Sequence, residues 1–571
     1  VPINFDRTQS LTILINQPNQ VPYQVNLSMN RQNNYSLVGW LCMICMLISS
    51  MRAQEIMLPN DYLDKQFHKE RRQALREMMP PNSVAVFFAN PVRNRANDVD
   101  YIYHQDPDFY YLTGYTEPHS ILLVFSEMQE GENGNIYDEM IFVQRRDERA
   151  EMWTGRRLGV AGVKEKLGFE VVYEGADFQN EVDFESFDRV LFYDFEGDVR
   201  DNERDDADLY SLMETFKSKV AFPDDYHPTR ERLYAMIRTT DVENKANVAQ
   251  IIDRFVRYNT ELNQDEILND FVKADNEVKL REVQEKVPDS KLDTYSLNGY
   301  MSVLRETKLP AEMKLLKKAI EISAIGQIEV MKAMRPGMSE TEIQGIHEFV
   351  FKKYGSEYEG YPSIVGAGHN GCVLHYISNN KPEIEEDELV LMDLGAEYHG
   401  YTADVTRTIP ANGTFSPEQK AIYDLVYEAQ QAGFEACMPG SDFRAPHMAA
   451  KEVIDRGLAE LGIIQEGQNH RYFPHGTSHY LGLDVHDKGT YGPLQPNTVI
   501  TVEPGIYIPE NSDCDEKWWG IAVRIEDDIL ITEDGWVNLS EMAPRKSEDI
   551  EAMMAQDSPL DDFVLPDLDG E

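Results

Sequence analysis

Basic charge, cysteine and long apolar runs are all scarce in this chain. Against 100 acidic residues stand only 54 lysines and arginines among 571 positions, a net charge of −46. Such a surface repels phosphate backbones and anionic lipid, so neither a nucleic-acid partner nor a polybasic anchor is expected. Five cysteines are too few to staple a scaffold of this length. No apolar stretch reaches the ~20 residues that cross a bilayer, so no stable membrane anchor is expected either. The phosphate-cradling G-x-x-x-x-G-K-[ST] string and the G-x-S-x-G nucleophile elbow are missing. What remains is an ordinary globular load, 42% apolar and 10% aromatic, on a chain long enough for two or more domains.

The chain opens on Val1, and residues 1–28 carry only Asp6 and Arg7 as charges. Met29-Asn30-Arg31 then begins a basic segment, followed by the apolar run 37–48 and a small-residue exit through Ser49, Ser50 and Ala53. That order is the order of a secretory signal peptide. Residues 1–53 are therefore read as an upstream segment and signal, with translation from Met29 and cleavage near Ala53. Export to a periplasm or the exterior is expected, with a cytoplasmic location as the alternative. Cys42 and Cys45 form a C-x-x-C inside the apolar run, where a redox role is not expected.

Residues 57–306 read as a mixed α/β domain. A helix over 69–78 stops at Pro80-Pro81, and strand-length apolar runs follow at 84–88, 121–125, 140–143 and 190–192. Thirteen acidic side chains in 181–214 predict a solvated face or loop, and 228–306 reads as mostly helical. Lys308-Leu309-Pro310 marks a boundary, after which a helix from Ala311 closes at Arg335-Pro336-Gly337. The second domain spans 308–546, and the acidic tail 547–571 is expected to be poorly ordered. The fold class is α+β.

Gly366-Ala-Gly368-His-Asn-Gly371 matches a dinucleotide fingerprint literally, but the following Cys372-Val-Leu-His-Tyr-Ile predicts a strand rather than a helix. His347-Glu348 starts like a zincin helix and lacks the second histidine. The chemistry lies elsewhere. The run 389–393 delivers Asp393 at a strand end, and 401–409 returns with Asp404. With a turn centred between Tyr398 and His399, the two carboxylates would face each other at ~5 Å, a repulsion that needs a proton or a cation to offset it. Val499–Val502 likewise leads into Glu503, and Gly520-Ile-Ala-Val-Arg-Ile reaches Glu526. Between the pairs lie His475, His479 and His486, in a chain with only 13 histidines. Four carboxylates and an imidazole form a hard, oxygen-rich set suited to two divalent cations, manganese above zinc.

The ordered set Asp393, Asp404, His479, Glu503 and Glu526 resembles the dinuclear metallopeptidases of the pita-bread fold. The strings Gly371-Cys-Val-Leu-His375-Tyr, Asp404-Val-Thr-Arg-Thr, His475-Gly-Thr-Ser-His479, Thr501-Val-Glu503-Pro-Gly and Asp108-Phe-Tyr-Tyr-Leu-Thr-Gly resemble the aminopeptidase P family in particular. The resemblance covers about residues 65–150 and 310–545. It implies removal of the N-terminal residue from peptides with proline second, by a hydroxide shared between two metals. By the same resemblance Asp404 and Glu526 bridge the metals, Asp393 completes one, and His479 with Glu503 completes the other. His375 and His486 would donate to the developing oxyanion, and Glu503 would shuttle the proton. His475, Tyr507 and Arg524 would form the proline-side pocket, although Arg524 could instead partner a ligand carboxylate. A homo-oligomer is expected. The alternatives are a prolidase confined to X-Pro dipeptides and a catalytically inactive binding module. Three features depart from the compact family pattern: the long acidic stretch 181–306, the export signal and an enlarged loop at 511–519.

Overall fold

The computed structural model describes residues 61–561, apart from 132, 133, 196 and 204, together with two short strands further upstream. Those strands, Leu11–Ile13 and Val25–Leu27, pair antiparallel within a separate unit of residues 1–60. The signal-peptide reading of 29–53 lies outside the described residues.

The first half of the chain builds a six-stranded mixed sheet. In spatial order its strands are Leu292–Asp293, Arg189–Phe192, Ser83–Phe88, Ile121–Glu130, Ile136–Val143 and Val172–Glu174. Ser83–Phe88 is buried over most of its length, which fits its continuous apolar run better than an alternating one would. The helix Lys65–Met78 packs on this sheet; Asp64 caps it by accepting from Phe67 N at 2.9 Å, and Pro80 prevents continuation. Before the edge strand Leu292–Asp293 the chain inserts four helices between 228 and 286, with an apolar core of their own. Ile252 and Val256 enter that core while Ile251 and Phe255 face outward. The acidic stretch 181–214 is mainly surface, but it also supplies the strand Arg189–Phe192, second from the sheet's edge, and the buried helix cap Asp208.

In the second half, helices Pro310–Ala333, Glu340–Tyr354, Pro417–Ala436 and Ala445–Glu460 back four small antiparallel sheets. Two long hairpins each contribute to two of these sheets. In the first, Leu389–Asp393 pairs with Thr406–Pro410, and beyond a break Ala396–Tyr398 pairs with Tyr401–Thr402. In the second, Val499–Val502 pairs with Asp527–Ile531, and beyond a break Gly505–Ile508 pairs with Ile521–Arg524. The first break requires glycine: a Cβ on Gly395 would lie 1.8 Å from the Ala403 carbonyl oxygen.

Three expectations need correction. The first hairpin turns at His399-Gly400, both with positive φ (51° and 86°), as a two-residue primed turn demands. Asp393 therefore lies opposite Thr406, not opposite Asp404. The segment after Gly371 is not a strand. It leaves a 3₁₀ turn, Gly368–Cys372, as an irregular loop wrapped around the buried Glu340 carboxylate, which accepts from Ala367 N, Asn370 Nδ2, Tyr376 Oη and Lys381 N at 2.8–3.0 Å. The acidic tail begins as the helix Ser547–Met554, which buries Ile550 and Met554; Glu548 and Asp549 suit its positive N-terminal end.

Candidate metal centre

Both hairpin breaks open at one place, and the carboxylates stand at the breaks. Extending the second hairpin's register from Val502↔Asp527 sets Glu503 directly opposite Glu526. In the first hairpin, Asp404 stands two residues short of Asp393's partner, a shift that keeps it on the same face. Tyr361 Oη joins the two, at 2.6 Å from Asp393 Oδ1 and 2.5 Å from Asp404 Oδ1. His479 arrives on a segment running beside Val499–Val502, where Thr501 N donates to His479 O at 3.0 Å. Its Nε2 lies 3.4 Å from Asp404, 3.7 Å from Glu503 and 4.0 Å from Glu526. Nδ1 sits 3.1 Å from Tyr480 O, so a proton there leaves the Nε2 lone pair facing the carboxylates.

The electrostatics of this cluster are those of anions crowded out of water. Burial pushes Glu503 up to about 7, with Asp404 and Asp393 adding to the rise and His479 and Arg524 opposing it. Burial and the surrounding carboxylates also raise Asp404 and, more strongly, Glu526. Burial disfavours charge on His479 as well, but Asp404 and Glu503 overcome it and lift the imidazole to about 9. Burial would raise Asp393 too; Arg524 and Tyr361 hold it below its ordinary value instead.

The donor set fits a hard divalent cation. Ligand atoms of Asp404, His479 and Glu526 all lie within 4.8 Å of one another. Glu526 Oε2 accepts from Thr406 Oγ1 at 2.6 Å, whereas its Oε1 is buried with no hydrogen-bond partner among the described residues. A buried carboxylate oxygen without a partner is costly, and a cation would satisfy it while offsetting the repulsion among the clustered carboxylates.

His375, His475, His486 and Arg524 line one cleft of about 590 Å³ with the five proposed ligands, and Tyr507 stands behind it, hydrogen-bonded to His475 and Arg524. His375 and His486 are on its wall, the His486 ring 4.4 Å from that of His479. Burial, His479 and His375 lower the pKa of His486, favouring a neutral ring that can still donate. His475, Tyr507 and Arg524 form one hydrogen-bonded chain. His475 Nε2 meets Tyr507 Oη at 2.9 Å, Arg524 Nη1 donates to that oxygen at 2.8 Å, and Arg524 Nη2 is paired with Asp393. Arg524 thus partners a proposed ligand carboxylate while it also borders the cleft.

Sequence reasoning missed several supports. Tyr361 is one, and nothing in its surroundings along the chain marks it. A matched pair of buried glutamines is another. Gln327 Nε2 donates to Met392 O and Val405 O at 3.1 and 2.7 Å, beside Asp393 and Asp404. Gln430 Nε2 donates to Val502 O and Ile525 O, both at 3.1 Å, beside Glu503 and Glu526. Each helix amide thereby replaces strand pairing that the break has removed. Arg407, fully buried, holds the Glu526 carbonyl at 2.7 Å and the Asp527 carboxylate at 2.8 Å.

The chain is similar to known proteins. Residues 314–533 match metallopeptidase family M24, and residues 68–186 match the aminopeptidase P N-terminal domain. The Xaa-Pro aminopeptidase of Escherichia coli (strain K12) is 34% identical over 505 residues, covering 86% of this chain and 98% of that protein. Xaa-Pro aminopeptidase 3 of Homo sapiens is 30% identical over 488 residues, covering 84% of this chain and 82% of that protein. The structure of E. coli aminopeptidase P with the inhibitor Pro-Leu superimposes with a TM-score of 0.67 at 31% identity, covering 86% of this chain and 98% of that one.

Proposed function

Because the chain belongs to metallopeptidase family M24, among its Xaa-Pro aminopeptidases, we propose that Asp393, Asp404, His479, Glu503 and Glu526 hold two divalent cations, manganese in the native enzyme. The enzyme is a metal-dependent hydrolase that removes the N-terminal residue from peptides whose second residue is proline. The family match runs through both halves of the chain, and neither a dipeptide-restricted prolidase nor an inactive binding module is favoured. The observation that carries the metal assignment is the donor-less Glu526 Oε1, buried beside Asp404 and His479.

Cations held there supply Lewis acidity, lowering the pKa of a water and stabilising charge on the scissile carbonyl oxygen. The protein's own groups do the rest. Glu503, at the end of a rigid strand, is the proton carrier from water to leaving nitrogen. With proline second that nitrogen belongs to a tertiary amide, so its protonation is decisive. His375 and His486 donate to the carbonyl oxygen from the cleft wall. The His475–Tyr507–Arg524 chain shapes the proline side, and its link to Asp393 ties that side to the metal centre.

Digestion of X-Pro-Y and X-Pro peptides with and without chelator, with bound metal counted, tests this reading. Cleavage of the longer peptide that needs about two ions per chain supports it, in line with a paired-metal site. Full turnover with a single ion refutes the pair. The same preparation serves two further proposals: a homo-oligomer, tested by light scattering, and export, tested by the mass of the mature chain. A start between Met51 and Glu55 fits export; retention of Met29 in soluble cytoplasmic protein excludes it.

A further inference from the structure

The loop that carries His486 is held from outside the cleft. Arg305 stands near the end of the helix Ser296–Glu306, which leads from the first domain into the second, and its side chain is 2% exposed. Three carboxylates from both domains share its guanidinium. Nη1 donates to Asp108 Oδ1 at 2.7 Å, and Nη2 donates to Asp484 Oδ2 at 2.7 Å and to Asp487 Oδ1. Lys308 Nζ meets the other oxygen of Asp487 at 2.8 Å, and Lys488 Nζ reaches Asp108 Oδ2 at 2.6 Å. His486 lies between Asp484 and Asp487 on backbone with no regular secondary structure. Its ring has no hydrogen-bond partner among the described residues and meets only the edge of the His479 ring, so the loop backbone sets where it stands.

The loop's other ties lie mainly before His486, where Leu483 is buried in the main core and Val485 packs against it. Thr402 N donates to Gly482 O at 2.8 Å and Asp487 N to Tyr480 O at 2.9 Å. Neither fixes the chain on both sides of His486, whereas Arg305 grips both neighbouring aspartates at once. A planar guanidinium can serve three acceptors in one geometry, and buried Asp108 and Asp487 would be left under-compensated if the loop moved away.

We propose that Arg305 is a positioning residue for the peptidase reaction: through Asp484 and Asp487 it sets the backbone that presents His486 to the scissile carbonyl. Docking of the first domain through Asp108 is then a condition of turnover. This deepens the assignment of His486 as carbonyl donor and rests on it.

The test measures kcat and KM on an X-Pro-Y peptide for Arg305→Met, Arg305→Lys, Asp484→Asn, His486→Ala and the R305M/H486A double variant, with bound manganese counted. R305M should lower kcat about 100-fold, the loss that a displacement of ~1 Å brings, with KM and metal content little changed. R305K should recover part of this, because an ammonium keeps the charge but cannot span three carboxylates. In the H486A background R305M should cost nothing further. A full additional loss there overturns the inference, since a reduced folded fraction multiplies on any background. If R305M does not fold, D484N, at a half-exposed carboxylate, carries the same test: a smaller drop in kcat that vanishes in H486A. Wild-type turnover by H486A would remove the donor assignment itself and the inference with it; an impaired H486A with additive losses removes the inference alone.

Discussion

Replacing Glu503 by glutamine should stabilise the chelated enzyme at pH 8 and leave its stability at pH 5 nearly unchanged. Glu503 is half-buried at a hairpin break facing Glu526, and in the metal-free cluster its carboxyl is raised from 4.5 to about 7. A folded-state pKa above the unfolded one means that the native state binds the extra proton between those values. The stability this proton brings is complete below pH 4.5 and lost as pH rises through 7. At ~1.4 kcal/mol per pK unit, ionised Glu503 costs the chelated fold about 3 kcal/mol at pH 8. Glutamine imitates the protonated acid and avoids that cost. Urea unfolding of both proteins in chelator at pH 5 and pH 8 measures it directly. With manganese at about 1,000 times Kd the order should invert, because wild type gains ~4.1 kcal/mol of binding free energy that the variant largely forgoes. A variant less stable than wild type at pH 8 in chelator, or equally stabilised at both pH values, would refute the account of crowded, cation-requiring carboxylates.

Asp404→Asn should lower turnover by several orders of magnitude while the chain stays folded, and retention of more than about a tenth of wild-type kcat would sink the bridging assignment. Chelator-stripped enzyme titrated with manganese should regain most activity, whereas zinc should bind tightly and support less; equal turnover with zinc would defeat the ligand-hardness argument. Gln430→Met should leave the carbonyls of Val502 and Ile525 without their shared donor, costing about 2 kcal/mol in urea unfolding and displacing Glu503 and Glu526, seen as weaker metal retention. Burial depresses His68 and His347 to about 4 each, so the unfolded chain binds more protons than the native one between pH 4 and 6.5. Stability should therefore fall as pH drops through that window, by up to ~3 kcal/mol per histidine; His347→Gln should flatten the decline, and an unchanged pH profile would count against it.

Local chemistry was legible along the chain wherever a residue acts through its neighbours in sequence. The strands near 84–88 and 121–125, the proline stops and the five proposed ligand residues at strand ends could all be read that way, as could the likeness to aminopeptidase P. The proximity of Asp393 and Asp404 was legible for a related reason: the turn lies one residue later than expected, which slips the register by two, and a slip of two preserves the face. The turn itself was not legible, because a His-Gly pair gains its two positive φ angles only once both flanking strands are fixed. The loop 373–377 is apolar enough for a strand, yet the preceding turn and Tyr376 satisfy a buried Glu340 that only the folded chain brings there. Tyr361, Gln327, Gln430 and Arg305 were hidden for the same cause. Each satisfies backbone or carboxylate groups far away in sequence, and such pairing leaves no periodicity or spacing behind. Short-range sterics and hydrophobic alternation are written residue by residue. The demand that every buried polar group find a partner is met only after the helices and hairpins have packed, so the tertiary structure alone decided which side chains would hold the carboxylates in place.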